Sequence, residues 1–342
     1  MVRALIKNIN VFLQVLFMSI LVTGAAGFIG YFTSKALLEK GVQVIGVDNL
    51  NDYYDISLKQ ARLNNLLGHT GFSFSQLDVA DRDSIDILFR ANPDINQIIH
   101  LAAQPGVRYS LVNPYAYTRS NIEGHLVLLE AARQLDVLKH FIYASSSSVY
   151  GNSRDTPFST KNPTDTPVSL YAATKKSMEM MSHAYADLYR MPLTGLRFFT
   201  VYGPWGRPDM AYYSFTRKIL AGEAIPVFNH GKMRRDFTYI DDIVMGILSC
   251  LNKPPSDNGA PPYRLYNIGN NKSENLMDFI SEVEKALGKK AKIDFQSMQA
   301  GDVKETFADI DAMRNDFGYE PTTGINVGIP LFVEWYKSFH RV

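Results

Sequence analysis

The chain has 342 residues, 35 Lys and Arg against 34 Asp and Glu, a formal net charge of +1, and one cysteine. That length suits a large α/β domain carrying a second, smaller one. The even charge balance, with no long basic run, excludes nucleic acid as a partner; the lone cysteine excludes an intrachain disulfide framework and points to a reducing, cytoplasmic setting.

Residues 1–17, MVRALIKNINVFLQVLF, imitate a signal peptide, with basic residues ahead of an apolar run. The apolar run continues through Met18 into SILVTGAAG, so cleavage there would remove the first strand, and the run is too short and interrupted to span a bilayer. An extension ahead of the fold is expected, with Met18 a candidate start and no stable membrane insertion. A surface-lying amphipathic helix is the alternative.

Residues 19–23 (SILVT), 42–48 (VQVIGVD), 72–78 (FSFSQLD), 97–102 (QIIHLA), 140–145 (HFIYAS) and 193–198 (LTGLRF) are short runs of strand type. Residues 28–40, 57–67, 84–91, 121–135 and 170–190 carry helical patterning between them. The alternation predicts right-handed βαβ units and a Rossmann-like, doubly wound parallel sheet over 18–199. After Phe199 the turn-rich stretches 202–209 (YGPWGRPD) and 252–262 (NKPPSDNGAPP) separate short elements. A smaller C-terminal α/β domain that holds the substrate is expected over 200–342, with returns to the sheet near 236–270. Cys250 is expected to pack in the helix after Asp242. The seven histidines (His69, His100, His125, His140, His183, His230 and His340) show no metal-ligand spacing, so no metal is expected.

In VTGAAGFIG, Gly24, Gly27 and Gly30 follow the first strand directly and open the first helix. Glycines there permit a tight turn, close approach of backbone to a pyrophosphate and tight helix–strand packing, with phosphate held at the helix N-terminus. The spacing departs from the commoner Gly-x-Gly-x-x-Gly. Asp48 ends the second strand eighteen residues after Gly30, where a carboxylate accepts from a ribose diol and repels a 2′-phosphate, favouring NAD over NADP. Asp78, at the end of the third strand, is placed to meet the adenine. A plain turn and a strand-end cap are the competing explanations for the glycines and for Asp48.

Tyr171 stands four residues ahead of Lys175 in SLYAATKKSMEMM, so on a helix the phenol and the ammonium share a face. A cation beside a phenol favours phenolate, which a general base near neutral pH requires. A buried Tyr beside a surface Lys is the plain alternative.

The segments GAAGFIG, LAAQ (101–104), YASSSSVYG (143–151) and Tyr171-Ala-Ala-Thr-Lys175 together resemble the extended short-chain dehydrogenase/reductase family, across essentially all of 18–342. Within it, VDNLNDYYDISLKQARL (47–63), GVRYS (106–110), RFFTVYGPWGRPDMA (197–211) and MRRDFTYIDDI (233–243) look like the branch that epimerises UDP-glucuronate at C4. The resemblance implies NAD as cofactor, a UDP-sugar as substrate, a role in polysaccharide biosynthesis, and a homodimer formed through the helix bearing Tyr171 and its neighbour at 115–135. It makes Tyr171 the acid/base on the sugar O4, has Lys175 lower its pKa and hold the nicotinamide ribose, and gives a share of the O4 proton to Ser146 or Ser148. It sets Phe28, Ile29, Asn49, Val79, Ala102, Ala103 and Asn121 along the cofactor, and Ser147, Ser148 and Arg108 along the substrate. Thr200 and Arg207 are assigned as partners on the sugar carboxylate, Arg235 to the UDP diphosphate and Asp302 to closing the nucleotide pocket, with Arg234 structural.

The implied reaction is a transient oxidation at C4 followed by reduction from the other face. Related decarboxylases and dehydratases carry acidic residues where this chain has only hydroxyls, which argues for epimerisation. The alternatives are a 4-epimerase of another UDP-hexose, a UDP-glucuronate decarboxylase, and, from a different class, a non-enzymatic NAD-binding sensor.

Overall fold

The computed structural model describes residues 19–153, 155–299 and 302–342; the expected extension over 1–17 and the candidate start at Met18 lie outside them. The chain runs β1 (Ser19–Thr23), α1 (Phe28–Glu39), β2 (Gln43–Asp48), α2 (Ile56–Leu67), β3 (Phe72–Gln76), α3 (Arg82–Ala91) and β4 (Ile95–His100). Two single-turn helices follow, α4 (Tyr109–Val112) and α5 (Pro114–Tyr117), then a π-helical stretch (Thr118–Glu123) that leads into α6 (Gly124–Ala132). Next come β5 (His140–Ser146), a 3₁₀ turn (Ser147–Tyr150), α7 (Leu170–Tyr189), β6 (Leu193–Phe198) and β7 (Thr200–Tyr202). The remainder is α8 (Ala211–Ala221), β8 (Ala224–Val227), β9 (Arg234–Tyr239), α9 (Ile240–Leu251), β10 (Tyr263–Ile268), β11 (Ser273–Asn275), α10 (Leu276–Leu287), β12 (Lys292–Phe295), α11 (Asp311–Phe317) and α12 (Ile325–His340).

Seven strands form one sheet in the order β10-β6-β5-β4-β1-β2-β3, every neighbouring pair parallel. Strands buried on both faces are predominantly apolar; all five residues of β1 are buried, and its two polar ones, Ser19 and Thr23, are hydrogen-bonded to Asp94 and His100. One core lies on the face covered by α1 and α9, including Tyr31, Leu37, Ile243 and Ile247; a second, with Ile85, Leu88, Leu128 and Met178, lies beneath α3, α6 and α7. This is the doubly wound α/β arrangement expected. The chain reverses its winding between β1 and β4, so a crevice opens beyond the carboxyl ends of these strands. Two small sheets, β11-β9-β7 and β12-β8, rise beside that crevice. β10 and α9 come from the second half of the chain yet belong to the large sheet and its cover.

The expected helix over 121–135 is divided. Its start is a π-helical stretch, a form that occurs mostly as short inserts at functional sites, and α6 ends at Ala132. Cys250 is buried in α9 with Sγ 3.7 Å from Met313 Sδ, and burial pushes its thiol up to about 12, out of the reactive range.

Gly30 illustrates how closely α1 sits on the first turn. A Cβ there would lie 2.0 Å from the Gly24 carbonyl oxygen and 2.7 Å from its carbon, both backbone atoms. Gly30→Ala is expected to lower stability by about 3 kcal/mol, at the upper end of overpacking costs. Urea unfolding measures this, with Gly68→Ala as control, since a Cβ at Gly68 meets only Asn65 O at 3.8 Å.

Candidate active site

One cavity of about 640 Å³ occupies the crevice. Its cofactor wall contains Gly24, Gly27, Phe28, Ile29, Gly30, Asp48, Asn49, Asp78, Val79, Ala102 and Ala103. Gly24 has φ +72, and a Cβ there would meet Ala102 N at 2.8 Å, so the loop lies against the end of β4 with no room for a side chain. No side chain caps α1, whose N-cap is Gly27, and its first turn holds no acidic residue. Those free N–H groups, at the positive end of the helix dipole, are a fitting seat for a pyrophosphate. Asp48 accepts from Ala26 N at 3.2 Å and Leu50 N at 2.9 Å, one bond per oxygen, which leaves each oxygen able to accept a ribose hydroxyl. Asp78 carries Arg119 at 3.2 Å and accepts from Ala80 N at 3.0 Å. The cradle, the uncapped helix and the carboxylate fit a dinucleotide.

Asn121 departs from the expectation. It does not line the cavity; fully buried, it accepts from Gln104 N at 2.8 Å and donates to Gln104 O at 3.1 Å and Thr174 Oγ1 at 3.0 Å. It therefore stands behind the wall, tying the segment after Ala103 to the helix that bears Tyr171.

Tyr171 and Lys175 both face the cavity from the start of α7, whose N-terminus is capped by Ser169 Oγ accepting from Ala172 N at 3.1 Å. The pair behaves differently from a phenol with a cation at its side. Lys175 Nζ donates to Ala144 O at 2.7 Å, and burial pushes the ammonium down to about 7. Burial raises the Tyr171 phenol above its ordinary value, while the Ser146 hydroxyl and then the Arg207 charge pull it back. The groups easing phenolate formation in this structure are thus Ser146, Arg207 and the N-terminal dipole of a 20-residue helix. Sequence spacing could not show that Lys175 is itself desolvated.

A lysine with a folded pKa near 7 and an ordinary value of about 10.4 binds fewer protons folded than unfolded between those limits. Its contribution to stability therefore rises with pH across that window and is least favourable at and below pH 7. Lys175→Met is expected to be more stable than the parent at pH 7, with the gap narrowing by pH 9. Urea unfolding of the cofactor-free proteins at both pH values tests this.

The serine run splits by direction. Ser145, Ser146, Ser147 and Ser148 all line the cavity. Ser148 donates its hydroxyl to Ser146 Oγ at 2.9 Å and its backbone N–H to the same oxygen at 3.2 Å. With its lone pairs occupied, Ser146 is left to donate its own proton, toward Tyr171. Ser145 instead donates to buried Glu179 Oε1 at 2.6 Å.

On the opposite wall lie Arg108, Thr200, Arg207, Arg235 and Asp302. Thr200 and Arg207 face the same cavity, and a third residue holds the guanidinium. Its Nε and Nη2 form a two-pronged bond to Asp209 at 3.0 and 2.5 Å, and Tyr53 Oη donates to the same carboxylate at 3.1 Å. This uses two of five guanidinium donors and leaves Nη1 for another anion. Arg235 Nη2 pairs with Asp302 Oδ1 at 2.7 Å; Arg234 is absent from the cavity wall and bonds Ser273, Asn275 and Glu305. The carrier loop of Arg207 is held by buried Arg62, which donates to Trp205 O, Gly206 O and Ala26 O.

Sequence reasoning passed over Tyr53, Asp209, Glu179 and Arg197. Asp209 stood in a quoted segment two residues after Arg207, and that adjacency of charges was its signal. Glu179 had one too, as a carboxylate on the helix face of Tyr171 and Lys175. Tyr53 and Arg197 had none, since their partners lie 156 and 18 residues away. Among the described residues no cluster of three His, Cys, Asp or Glu is grouped to hold a metal, and no helix is long and apolar enough to cross a membrane.

A doubly wound sheet, a glycine cradle at its switch point and a Tyr–Lys–Ser group beside it define a dinucleotide-binding enzyme of the short-chain dehydrogenase/reductase type. More narrowly, residues 20–269 match the NAD dependent epimerase/dehydratase family, and the chain belongs to it. It is 48% identical over 337 residues to Protein CapI of Staphylococcus aureus, covering 95% of this chain and 100% of that one. It is 47% identical over 333 residues to UDP-glucuronate 4-epimerase 1 of Arabidopsis thaliana, covering 94% of this chain and 77% of the plant protein. The crystal structure of UDP-glucuronic acid 4-epimerase from Bacillus cereus, in complex with UDP-glucuronic acid and NAD, superimposes with a TM-score of 0.86 at 35% identity, over 94% of this chain and 100% of that chain.

Proposed function

We propose that the protein interconverts UDP-glucuronate and UDP-galacturonate by transient oxidation at C4, with NAD held throughout. The observation that carries this is Arg207: a guanidinium with unused donors faces the same cavity as Tyr171, close enough to pull its phenol down. A neutral sugar offers such a group hydroxyls but no anion to match its charge and fork.

The cofactor wall from 19–199 would hold NAD along Gly24, Gly27, Gly30 and Asp48, and residues of 200–342, chiefly Thr200, Arg207, Arg235 and Asp302, would hold most of the UDP-sugar. NAD, when bound, supplies acceptance and return of hydrogen at C4. Tyr171 takes the O4 proton and later returns it. Ser146, oriented by Ser148, donates to the Tyr171 phenolate ahead of that transfer or to O4, and Lys175 stands below with its Nζ on the Ala144 carbonyl. Arg207 grips the C5 carboxylate, both orienting the ring and holding a β-keto acid against loss of carbon dioxide; no carboxylate stands on the serine turn to promote that loss. The sugar must turn over between the two transfers, so firm hold belongs on the diphosphate, the role proposed for Arg235.

The test is proton NMR of the anomeric region with UDP-glucuronate and NAD. UDP-galacturonate is expected, without net NADH and without pentose. UDP-xylose or a 4-keto pentose would overturn the epimerase reading.

The chain is also proposed to pair with a second copy through α6 and α7. Leu126, Met180 and Leu188 on these helices, with Tyr115 just before them, are exposed apolar side chains, the last 82% accessible. Light scattering is expected to give twice the chain mass; a strict monomer at micromolar concentration would contradict this.

A further inference from the structure

The turn that carries Ser146 and Ser148 is gripped from behind, at both ends, by one buried ion pair. Glu179 on α7 takes Nε and Nη2 of Arg197 on β6 at 2.8 Å each, and both side chains are 2% exposed. Arg197 is the register partner of Ser145 across β5 and β6. At the start of the turn Ser145 donates to Glu179 Oε1 at 2.6 Å. At its end the Tyr150 ring lies 4.9 Å from the Arg197 guanidinium, and the Tyr150 hydroxyl donates to Asn267 Oδ1 at 2.6 Å. Between these anchors Ser146 and Ser148 turn to the cavity. Glu179 is also four residues beyond Lys175 and eight beyond Tyr171, on the same face of α7. The carbonyl that receives Lys175 belongs to Ala144, the residue before Ser145.

We propose that Glu179 and Arg197 are positioning residues of the proton relay, locking the serine turn to the helix that carries Tyr171 and Lys175. The inference rests on the epimerase reading above. The physical reason is the kind of contact. Apolar side chains of equal volume would hold β5, β6 and α7 together as strongly, because desolvating two charges offsets most of their attraction. They would not fix angle and register, which a two-pronged guanidinium–carboxylate bond does. Tyr171 must accept and return one proton on a sugar that turns over between the steps, so the Ser146 hydroxyl has to stay in place for both. Freedom of about 1 Å at such a group costs on the order of 10²-fold in rate.

The experiment is the double variant Glu179→Leu, Arg197→Met, assayed with whichever UDP-sugar the parent turns over. Expected are a kcat lower by about 30-fold, a KM within about threefold, unchanged bound NAD, and an acid limb of the kcat profile moved to higher pH as Ser146 loses its alignment on the phenol. A purely structural pair would leave kcat and the profile at parent values whatever the change in thermal stability, and that result would overturn the proposal. Should the double variant fail to fold, Ser145→Ala severs the same link with the ion pair intact. It is expected to lower kcat about fivefold at constant KM, on the smaller scale of one hydrogen bond, and a parent-like kcat would again overturn the proposal. A parent that epimerises UDP-glucose and not UDP-glucuronate sinks the carboxylate reading while this comparison still stands; a parent inert with every UDP-sugar overturns both.

Discussion

Tyr171→Phe is expected to lower kcat by about 10³-fold, within the range assigned to one positioned acid/base and equal to about 4 kcal/mol of barrier. The substitution removes one oxygen and keeps the ring, whose edge packs on Tyr117 at a centroid distance of 6.0 Å. Fold, bound NAD and KM are therefore expected to stay within a few-fold of the parent, so the loss falls on the chemical step. Neither neighbour is arranged to replace the phenol: Ser146 has its lone pairs filled by Ser148, and Lys175 is turned onto Ala144 O. Steady-state kinetics, with NAD content measured on the same preparation, decide the matter. A Tyr171→Phe protein as active as its parent would remove Tyr171 from the mechanism.

The second large effect is one of selectivity. Arg207→Ala is expected to lower kcat/KM for UDP-glucuronate by about 10²- to 10³-fold, the loss of one or two hydrogen bonds to a charged group at about 1.5–3 kcal/mol each. UDP-glucose, which offers no carboxylate, is expected to change by less than about fivefold on the same scale. The variant also leaves Asp209 without its guanidinium, since Tyr53 alone remains as its side-chain donor. Arg207→Ala with Asp209→Asn removes that stranded charge and is expected to recover stability while still failing with UDP-glucuronate. Equal losses with both sugars would mean that Arg207 acts through the loop or the Tyr171 phenol rather than on a carboxylate, and an unchanged rate with UDP-glucuronate would sink its role on the carboxylate. Burial opposes ionisation of Asp209, and the Arg207 charge overcomes it, leaving the carboxyl below its ordinary range; both groups therefore stay charged across the neutral pH of the assay.

The large sheet is legible in the amino-acid sequence, because strands buried on both faces are predominantly apolar and a βαβ unit alternates such runs with helical patterning. SILVT, QVIGVD and HFIYAS are legible for that reason, and their order in the chain, joined to the right-handed crossover, leaves little freedom in the sheet. The glycine loop was equally legible, since contact of backbone with backbone admits one residue type, and so was Tyr171 with Lys175, a local relation set by helical pitch. Tertiary packing sets the relations that chain spacing does not encode. The second half of the chain returns β10 and α9 to the large sheet, as the sequence suggested near 236–270, but which edge β10 joins depends on packing. Asn121 stands behind the cofactor wall because a π-helical stretch turns it toward Gln104, a local distortion with no compositional mark. Arg207 is held by Asp209, and Ser145 leaves its neighbours for Glu179, because each goes to the charge or acceptor nearest in space. Burial, finally, inverts the electrostatics of the Tyr–Lys pair: a lysine that a linear reading takes as a full cation is desolvated, and desolvation is a property of everything packed around it.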